Sequence, residues 1–68
     1  MMEIILNGEK ESLDMNYTIA ELLQKQGLNP DVVTVSLNGD ILGKDAFDST
    51  SVKDGDSVDI LMFMGGGR

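Results

Sequence analysis

The stretch Thr18-Ile19-Ala20-Glu21-Leu22-Leu23 decides the fold, because it carries the start of the only long helical pattern in the chain. Thr18 and Glu21 have the spacing of a capping box, in which each side chain accepts a hydrogen bond from the backbone N–H of the other residue. The apolar residues that follow recur at i, i+3 and i+4 and therefore share one helix face; they are Ile19, Leu22 and Leu23.

The predicted helix ends near Gly27, with Pro30 as a further stop signal. At about two and a half turns it is too short to be stable alone, so its apolar face must pack on a sheet. Its polar residues are expected to face water: Glu21, Gln24 and Lys25.

Before the helix, the sequence predicts a β-hairpin. Residues 2–6 form a short apolar run rich in β-branched side chains, and Asn7-Gly8 is the strongest two-residue turn signal. Residues 9–15 should return antiparallel, with Leu13 on the buried side and Met15 as a second candidate for that side.

After the helix, residues 32–37 are β-branched and predict a strand, and Asn38-Gly39 predicts a second two-residue turn. Residues 40–42 should form a brief return strand. Residues 44–48 are expected to make one helical turn with Phe47 inward, residues 52–56 a tight turn, and residues 57–64 the last strand.

The last strand is apolar on both faces near its end, which simple alternation does not explain. Val58 and Ile60 are expected in the core, with Met62 on the same face. Leu61 and Phe63 lie on the opposite face and are expected to be partly exposed. Two interpretations remain open, a docking patch for a partner or a small cluster without functional consequence.

The order strand, strand, helix, strand, short strand, strand predicts an α+β fold of the β-grasp type, a mixed four- to five-stranded sheet with one main helix packed across it. We expect one domain over residues 1–64. Residues 65–68 should form a flexible tail, because glycine is the residue that costs most to order. At about 3.3 Å per residue, this tail could carry its carboxylate roughly 15 Å from the body. A frayed end without function is the alternative.

Composition narrows the function further. The 68 residues contain no histidine and no cysteine, which removes the commonest general base, thiol nucleophiles and the usual zinc ligands. We therefore expect neither catalytic residues nor a metal site. The formal charge of −7 argues against nucleic acid and anionic membranes and favours a basic protein partner. The sequence has no apolar run long enough to cross a membrane, and its N-terminus lacks the basic residues of a secretion signal. We therefore predict that the chain is cytoplasmic.

In its order of motifs, the chain resembles the ThiS family, the sulfur carriers of thiamin biosynthesis. The resemblance covers the whole chain and rests on Ile4-Ile5-Leu6-Asn7-Gly8, the helix entry at 18–23, Val35-Ser36-Leu37-Asn38-Gly39-Asp40-Ile41, Asp54-Gly55-Asp56-Ser57-Val58-Asp59-Ile60 and the terminal glycines.

This resemblance implies a ubiquitin-like β-grasp carrier, modified by partner enzymes and not an enzyme itself. A ThiF-type adenylating enzyme would use ATP to activate the C-terminal glycine carboxylate, and a persulfide donor would supply sulfur to form a thiocarboxylate. Thiazole synthase would then receive that sulfur. The carrier would bind no cofactor of its own.

By position, the family's terminal glycine pair falls on Gly66 and Gly67, with Gly65 as a spacer. Arg68 departs from this pattern, and we expect its removal before Gly67 is activated. The resemblance also implies a partner-binding segment just before the tail, formed by Leu61, Phe63 and Met64.

Three alternatives remain at this point. The chain could carry sulfur for molybdopterin or another thiolation pathway, since those carriers share the tail. It could be a ubiquitin-like modifier that acylates lysines. It could also be a non-catalytic β-grasp module that binds proteins through its body.

Overall fold

A computed structural model describes residues 2–62 as one sheet crossed by one helix. In chain order the elements are β1 Met2–Leu6, β2 Glu9–Leu13, α1 Ile19–Lys25, β3 Val33–Leu37, β4 Asp40–Leu42 and β5 Ser57–Met62, with single 3-10 turns at Pro30–Val32 and Lys44–Ala46. The five strands are arranged in the order β2-β1-β5-β3-β4. β1 and β5 run parallel and the other neighbours antiparallel. The predicted α+β architecture, a ubiquitin-like β-grasp, is confirmed.

The core lies between α1 and one face of the sheet. Ile19, Leu22 and Leu23 are buried, as their helical spacing predicted. They meet the inward side chains of the strands and of the long connection before β5. The other buried apolar residues are Ile4, Leu13, Val33, Val35, Phe47, Val52, Val58 and Ile60. Phe47 therefore faces inward from the second 3-10 turn, as expected.

Both predicted hairpin turns are present. Asn7 and Asn38 have φ values of 51° and 52°, and Gly8 and Gly39 have φ values of 84° and 90°. Two consecutive positive φ angles define the turn type that matches the twist of antiparallel strands, and Asn-Gly is the pair that adopts it most readily. The two turns close β1–β2 and β3–β4 without additional loop residues.

The capping box at the start of α1 forms as the sequence predicted. Thr18 Oγ1 accepts from the Glu21 N–H at 3.1 Å, and Glu21 Oε1 accepts from the Thr18 N–H at 2.9 Å. The helix contains seven residues, about two turns, and so is slightly shorter than predicted. Gly27, with φ of 75°, follows its end.

Two details of the prediction were wrong. Met15 is 58% exposed, because β2 pairs with β1 only as far as Leu13, opposite Met2, and the chain then bends away. Val32 belongs to a 3-10 turn, so β3 begins at Val33. Asn29 Oδ1 caps that turn by accepting from the Asp31 N–H at 2.9 Å, and Pro30 at its first position suits the turn.

The boundary predicted between residues 64 and 65 lies outside the described residues and stays a prediction. Within residues 2–62, the helix is neither long nor apolar enough to span a membrane.

Candidate functional site

β5 is the element that leads toward the glycine run, and it lies at the centre of the sheet, between β1 and β3. Most residues singled out for the tail and its approach lie outside the described residues; these are Phe63, Met64, Gly65, Gly66, Gly67 and Arg68. Leu61 is the predicted site residue that the structure places. The candidate site is therefore built here from β5 and the residues that hold it.

The start of β5 is fixed by Asn38, from the turn between β3 and β4. Its Oδ1 accepts from the Ser57 N–H at 2.8 Å, and its Nδ2 donates to Asp56 Oδ1 at 3.0 Å. The other oxygen of Asp56 accepts from the Lys53 N–H at 2.8 Å. Both the oxygen and the nitrogen of the Asn38 side-chain amide are thus hydrogen-bonded, and these bonds fix the position at which β5 joins the sheet.

The far part of β5 is fixed in the same way by Asn7, from the turn between β1 and β2. Its Oδ1 accepts from the partly buried Ile60 N–H at 2.7 Å, across a sequence separation of 53 residues. Its own N–H donates to the Val58 carbonyl at 2.9 Å. The sequence predicted both asparagines as turn residues, but their side-chain bonds to β5 were missed.

β5 has the two apolar faces that the sequence predicted. Val58 and Ile60 are buried, whereas Leu61 on the opposite face is 68% exposed. Met62 follows the inward alternation but lies at the rim of the core, where it is 49% exposed. Burying the exposed side chain of Leu61 against a partner would gain hydrophobic free energy. Its exposure is therefore consistent with the docking interpretation.

A second exposed apolar side chain, Ile41, lies on the same outer face of the sheet. Ile41 is 74% exposed. It pairs with Ser36, and Leu61 pairs with Thr34, so the two apolar residues flank β3 diagonally, about 12 Å apart from strand spacing and rise. We call Thr34, Ser36, Ile41 and Leu61 together the outer patch. The sequence could have indicated an exposed apolar residue in β4, because Ile41 and Leu42 are adjacent in a strand and cannot both face inward.

One acidic side chain, that of Asp59, lies beside the outer patch. Asp59 precedes Leu61 by two residues, pairs with Ser36 and is exposed on the same face. Within residues 2–62, one ion pair forms, between the exposed side chains of Lys44 and Asp31. In that part of the chain no three acidic side chains gather closely enough to hold a metal. The outer patch therefore offers apolar contact with negative charge beside it, which suits binding to a basic surface.

A separate groove of about 320 Å³ runs beside the exposed face of α1. Tyr17 donates its hydroxyl to Asp14 Oδ1 at 2.9 Å, and the Lys25 ammonium lies 5.8 Å from the Tyr17 ring centroid. The hydrogen bond from Tyr17 lowers the pKa of Asp14, and the same bond raises the pKa of Tyr17. No sequence pattern singled out this groove, which is lined by Met15, Asn16, Tyr17, Glu21, Gln24 and Lys25.

Two solved structures are similar to the chain in both fold and sequence. A crystal structure of the thiamine biosynthesis protein ThiS from Geobacter metallireducens has a TM-score of 0.85 and 43% identity, covering 97% of this chain and all of that one. An NMR structure of a thiamine biosynthesis protein from the same organism has a TM-score of 0.82 and 43% identity, covering 98% and 90%.

Two curated relatives are much longer proteins named thiazole synthase. The relative from Paramagnetospirillum magneticum is 33% identical over 66 residues, which is 97% of this chain and 20% of the relative. The relative from Magnetococcus marinus is 28% identical over 67 residues, 98% of this chain and 21% of the relative. The chain thus spans about a fifth of the length of the curated relatives that it matches. The sequence model of the ThiS family matches residues 2–67, and the chain belongs to that family.

Proposed function

We propose that the protein is a sulfur carrier of thiamin biosynthesis, in which Gly67 becomes the terminal residue and its carboxylate carries the sulfur. The observation that carries this proposal is the extent of the family match, which includes Gly65, Gly66 and Gly67 and stops before Arg68. This extent supports the expectation that Arg68 is removed before Gly67 is activated.

The chemistry needs little from the carrier beyond its carboxylate. A carboxylate oxygen of Gly67 attacks the α-phosphorus of ATP, pyrophosphate leaves, and an acyl-adenylate forms. The terminal sulfur of a persulfide then attacks the acyl carbon and displaces AMP. A thiol then attacks the donor sulfur of the resulting acyl disulfide, so that a new disulfide forms between thiol and donor and the thiocarboxylate is released on Gly67. Glycine suits this sequence because it has no side chain to hinder attack on the acyl carbon.

The partners follow from these steps. A ThiF-type adenylating enzyme binds ATP and activates the tail, a persulfide donor supplies sulfur, and thiazole synthase accepts it. The relatives from P. magneticum and M. marinus support the last partner, since a region like this chain occurs within proteins named thiazole synthase. Within one such chain, carrier and synthase would be held at high effective concentration.

The body of the carrier would dock through the outer patch, and Phe63 and Met64, which lie outside the described residues, are proposed as further partner-binding residues. An apolar surface with Asp59 beside it is suited to a partner that presents apolar side chains next to a basic one. The firm placement of β5 supports this arrangement, because Asn7 and Asn38 fix the strand that leads from the docked body to the tail.

The first test is the intact mass of the protein from its native cells, measured under conditions that preserve thioacids. We expect a species that lacks Arg68 and has sulfur in place of one terminal oxygen. Growth under thiamin starvation should increase its share, and the Gly67→Ala variant should diminish it. A single unmodified mass that still ends in Arg68, even under starvation, would favour a β-grasp binding module. Adenylation with Arg68 still attached would refute the processing step.

A second test changes the outer patch. Leu61→Asp and Ile41→Asp should each weaken binding to the adenylating enzyme about tenfold or more, as the loss of a central apolar contact does. Phe63→Asp should behave similarly. Binding is measured by calorimetry and adenylation by pyrophosphate release.

Met15→Asp is the matched control for the outer patch, because Met15 is also an exposed apolar side chain but lies beside α1. Each exposed substitution should change the free energy of unfolding by only about 0.5 kcal/mol. If Leu61→Asp and Met15→Asp were adenylated equally well, the outer patch would have no part in docking.

A further inference from the structure

One side of β5 is open before the tail begins. β1 pairs with β5 only at Ile5–Ser57 and Leu6–Val58, and the chain then turns away at Asn7-Gly8. On the other side, β3 pairs with β5 as far as Met62. From Ile60 onward, β5 therefore has a neighbouring strand on one side only, within the residues that the structure describes.

Asn7 occupies the first position of this open edge, because its Oδ1 accepts from the Ile60 N–H at 2.7 Å. Backbone N–H groups alternate in direction along a strand. The Met62 N–H, two residues further, therefore points to the same side, as does the Ile60 carbonyl. Among residues 2–62, no strand, turn or side chain pairs with these two groups.

We propose that the edge of β5 from Ile60 to Met62 accepts an extended segment of thiazole synthase as an added strand, with Asn7 setting where that pairing begins. This inference rests on the proposed function, since it concerns how the tail is delivered to the sulfur acceptor. Strand addition supplies affinity through backbone hydrogen bonds and specificity through alternate side chains. It also fixes the direction in which the chain leaves the body.

The other two edges of the sheet are unsuited to strand addition. β2 carries Glu9, Lys10 and Glu11 along its length, and β4 begins with Asp40. Charged side chains are a usual means by which an edge avoids pairing. The open part of β5 from Ile60 to Met62 has no charged side chain, and Leu61 and Met62 are exposed there.

The side chains beside this edge indicate what the added segment should contain. Leu61 projects to the outer face and Met62 to the rim of the core, so an apolar residue on each face of the segment would be covered. Asp59 is exposed next to Leu61 on the outer face, which favours a basic residue opposite it. Thiazole synthase is chosen as the occupant because relatives with that name contain a carrier-like region, which places such a region and a synthase in one chain.

The first measurement is amide hydrogen exchange by NMR on the full carrier, alone and with saturating thiazole synthase from the same organism. We expect exchange of the Met62 N–H to slow at least tenfold in the complex. The Lys10 N–H, which faces outward from the edge strand β2, is the internal control and should not slow. Unchanged exchange at Met62 in a saturated complex would overturn the proposal, while thiocarboxylate formation could still stand.

The second measurement compares Met62→Pro with Met62→Val. Proline removes the N–H that points to the open side without removing a bond to β3, which is the strand position where proline is tolerated. Met62→Pro should bind thiazole synthase at least tenfold more weakly than Met62→Val, which keeps the N–H. Equal binding by two folded variants would contradict strand addition. If Met62→Pro does not fold, the exchange measurement alone decides.

Two further outcomes would also count against this inference. Concentration-dependent protection of Met62 without the synthase would identify a second copy of the chain as the occupant. Failure of the wild-type carrier to bind thiazole synthase would overturn both the strand addition and this choice of partner. The intact-mass experiment, which does not use the synthase, would then show whether the carrier role survives.

Discussion

Asn7 and Asn38 each combine two properties that the structure needs at a single position. Both residues adopt positive φ, which asparagine tolerates better than other residues with a side chain. Both also direct their side-chain oxygen to a backbone N–H of β5. The first property could be predicted from the Asn-Gly pair. The second could not, because local sequence does not show which strand will lie beside the turn.

At the residue scale, the hydrogen bond between Tyr17 and Asp14 leads to a prediction about the pKa of Tyr17. The chain has one tyrosine and no tryptophan, so its phenolate absorbance is unambiguous. The bond to Asp14 raises the pKa of Tyr17 above its ordinary value of 10.0. We expect an absorbance midpoint above 10.0 in the wild type and a lower one in Asp14→Ala. Glu9→Ala, which removes an exposed acid elsewhere, is the control for net charge.

The same bond fixes the signs of two pH effects. Above pH 10 the unfolded chain loses its tyrosine proton before the folded chain does, so this contribution to stability is lost as pH rises through the folded pKa. The pKa of Asp14 is lowered below 3.8 by Tyr17, so its contribution is present above 3.8 and lost as pH falls through the folded pKa. Equal midpoints in wild type and Asp14→Ala would show that the bond is absent in solution.

At the scale of elements, α1 depends on its first turn and on the sheet below it. Its seven residues are too few for a stable isolated helix. Thr18→Ala removes the side-chain acceptor for the Glu21 N–H and should reduce the free energy of unfolding by about 1 kcal/mol. For a domain of this size, the melting temperature should fall by about 4–8 °C.

Thr18→Ser keeps the hydroxyl and is the matched comparison, with an expected loss well below that of Thr18→Ala. Thermal and denaturant unfolding measure both variants. If the two variants lost the same stability, the methyl group of Thr18 and not its hydroxyl would be responsible.

The elements could be predicted from sequence wherever the signal was local. The capping box, the two Asn-Gly turns and the apolar face of α1 each depend on residues within about four positions of one another. One error arose where a distant partner decides, because Met15 continues the alternation of β2 but pairing with β1 ends at Leu13. The other error was local: Val32 is β-branched like β3, but the nearby cap at Asn29 places it in a turn.

At the scale of the whole molecule, excess negative charge should make stability depend on salt. The formal charge is −7, and the exposed Lys44–Asp31 pair of residues 2–62 contributes little. Raising ionic strength from about 0.01 M to 0.1 M shortens the Debye length from about 30 Å to 10 Å. The unfolding midpoint in urea should therefore rise as added NaCl screens this repulsion.

A double variant, Glu11→Gln with Asp48→Asn, should be less sensitive to salt, because it lowers the negative charge by two, at the half-buried Glu11 and the exposed Asp48. Neither carboxylate accepts a hydrogen bond within the described residues. If added salt lowered the midpoint of the wild type, attractive ion pairs and not net repulsion would dominate its electrostatics.

The architecture could be predicted because the order of elements leaves few ways to cover one helix face with a small sheet. The outer patch was only half predicted. Leu61 stood out because β5 is apolar on both faces, but Ile41 joins it through the register of β4 against Ser36. Register depends on which residues face each other across strands, and a single sequence shows this only where a tight turn fixes it.

The position of β5 also has a consequence for the order of folding. Each hairpin closes through a two-residue turn and can form within microseconds. β5 must join both hairpins, and its pairing of Ser57 with Ile5 spans most of the chain, so we expect this step to limit the folding rate. Until it is complete, the segment that precedes the glycines has no fixed direction. Incompletely folded molecules would then be poor substrates for the adenylating enzyme, so that sulfur would be attached mainly to fully folded carriers.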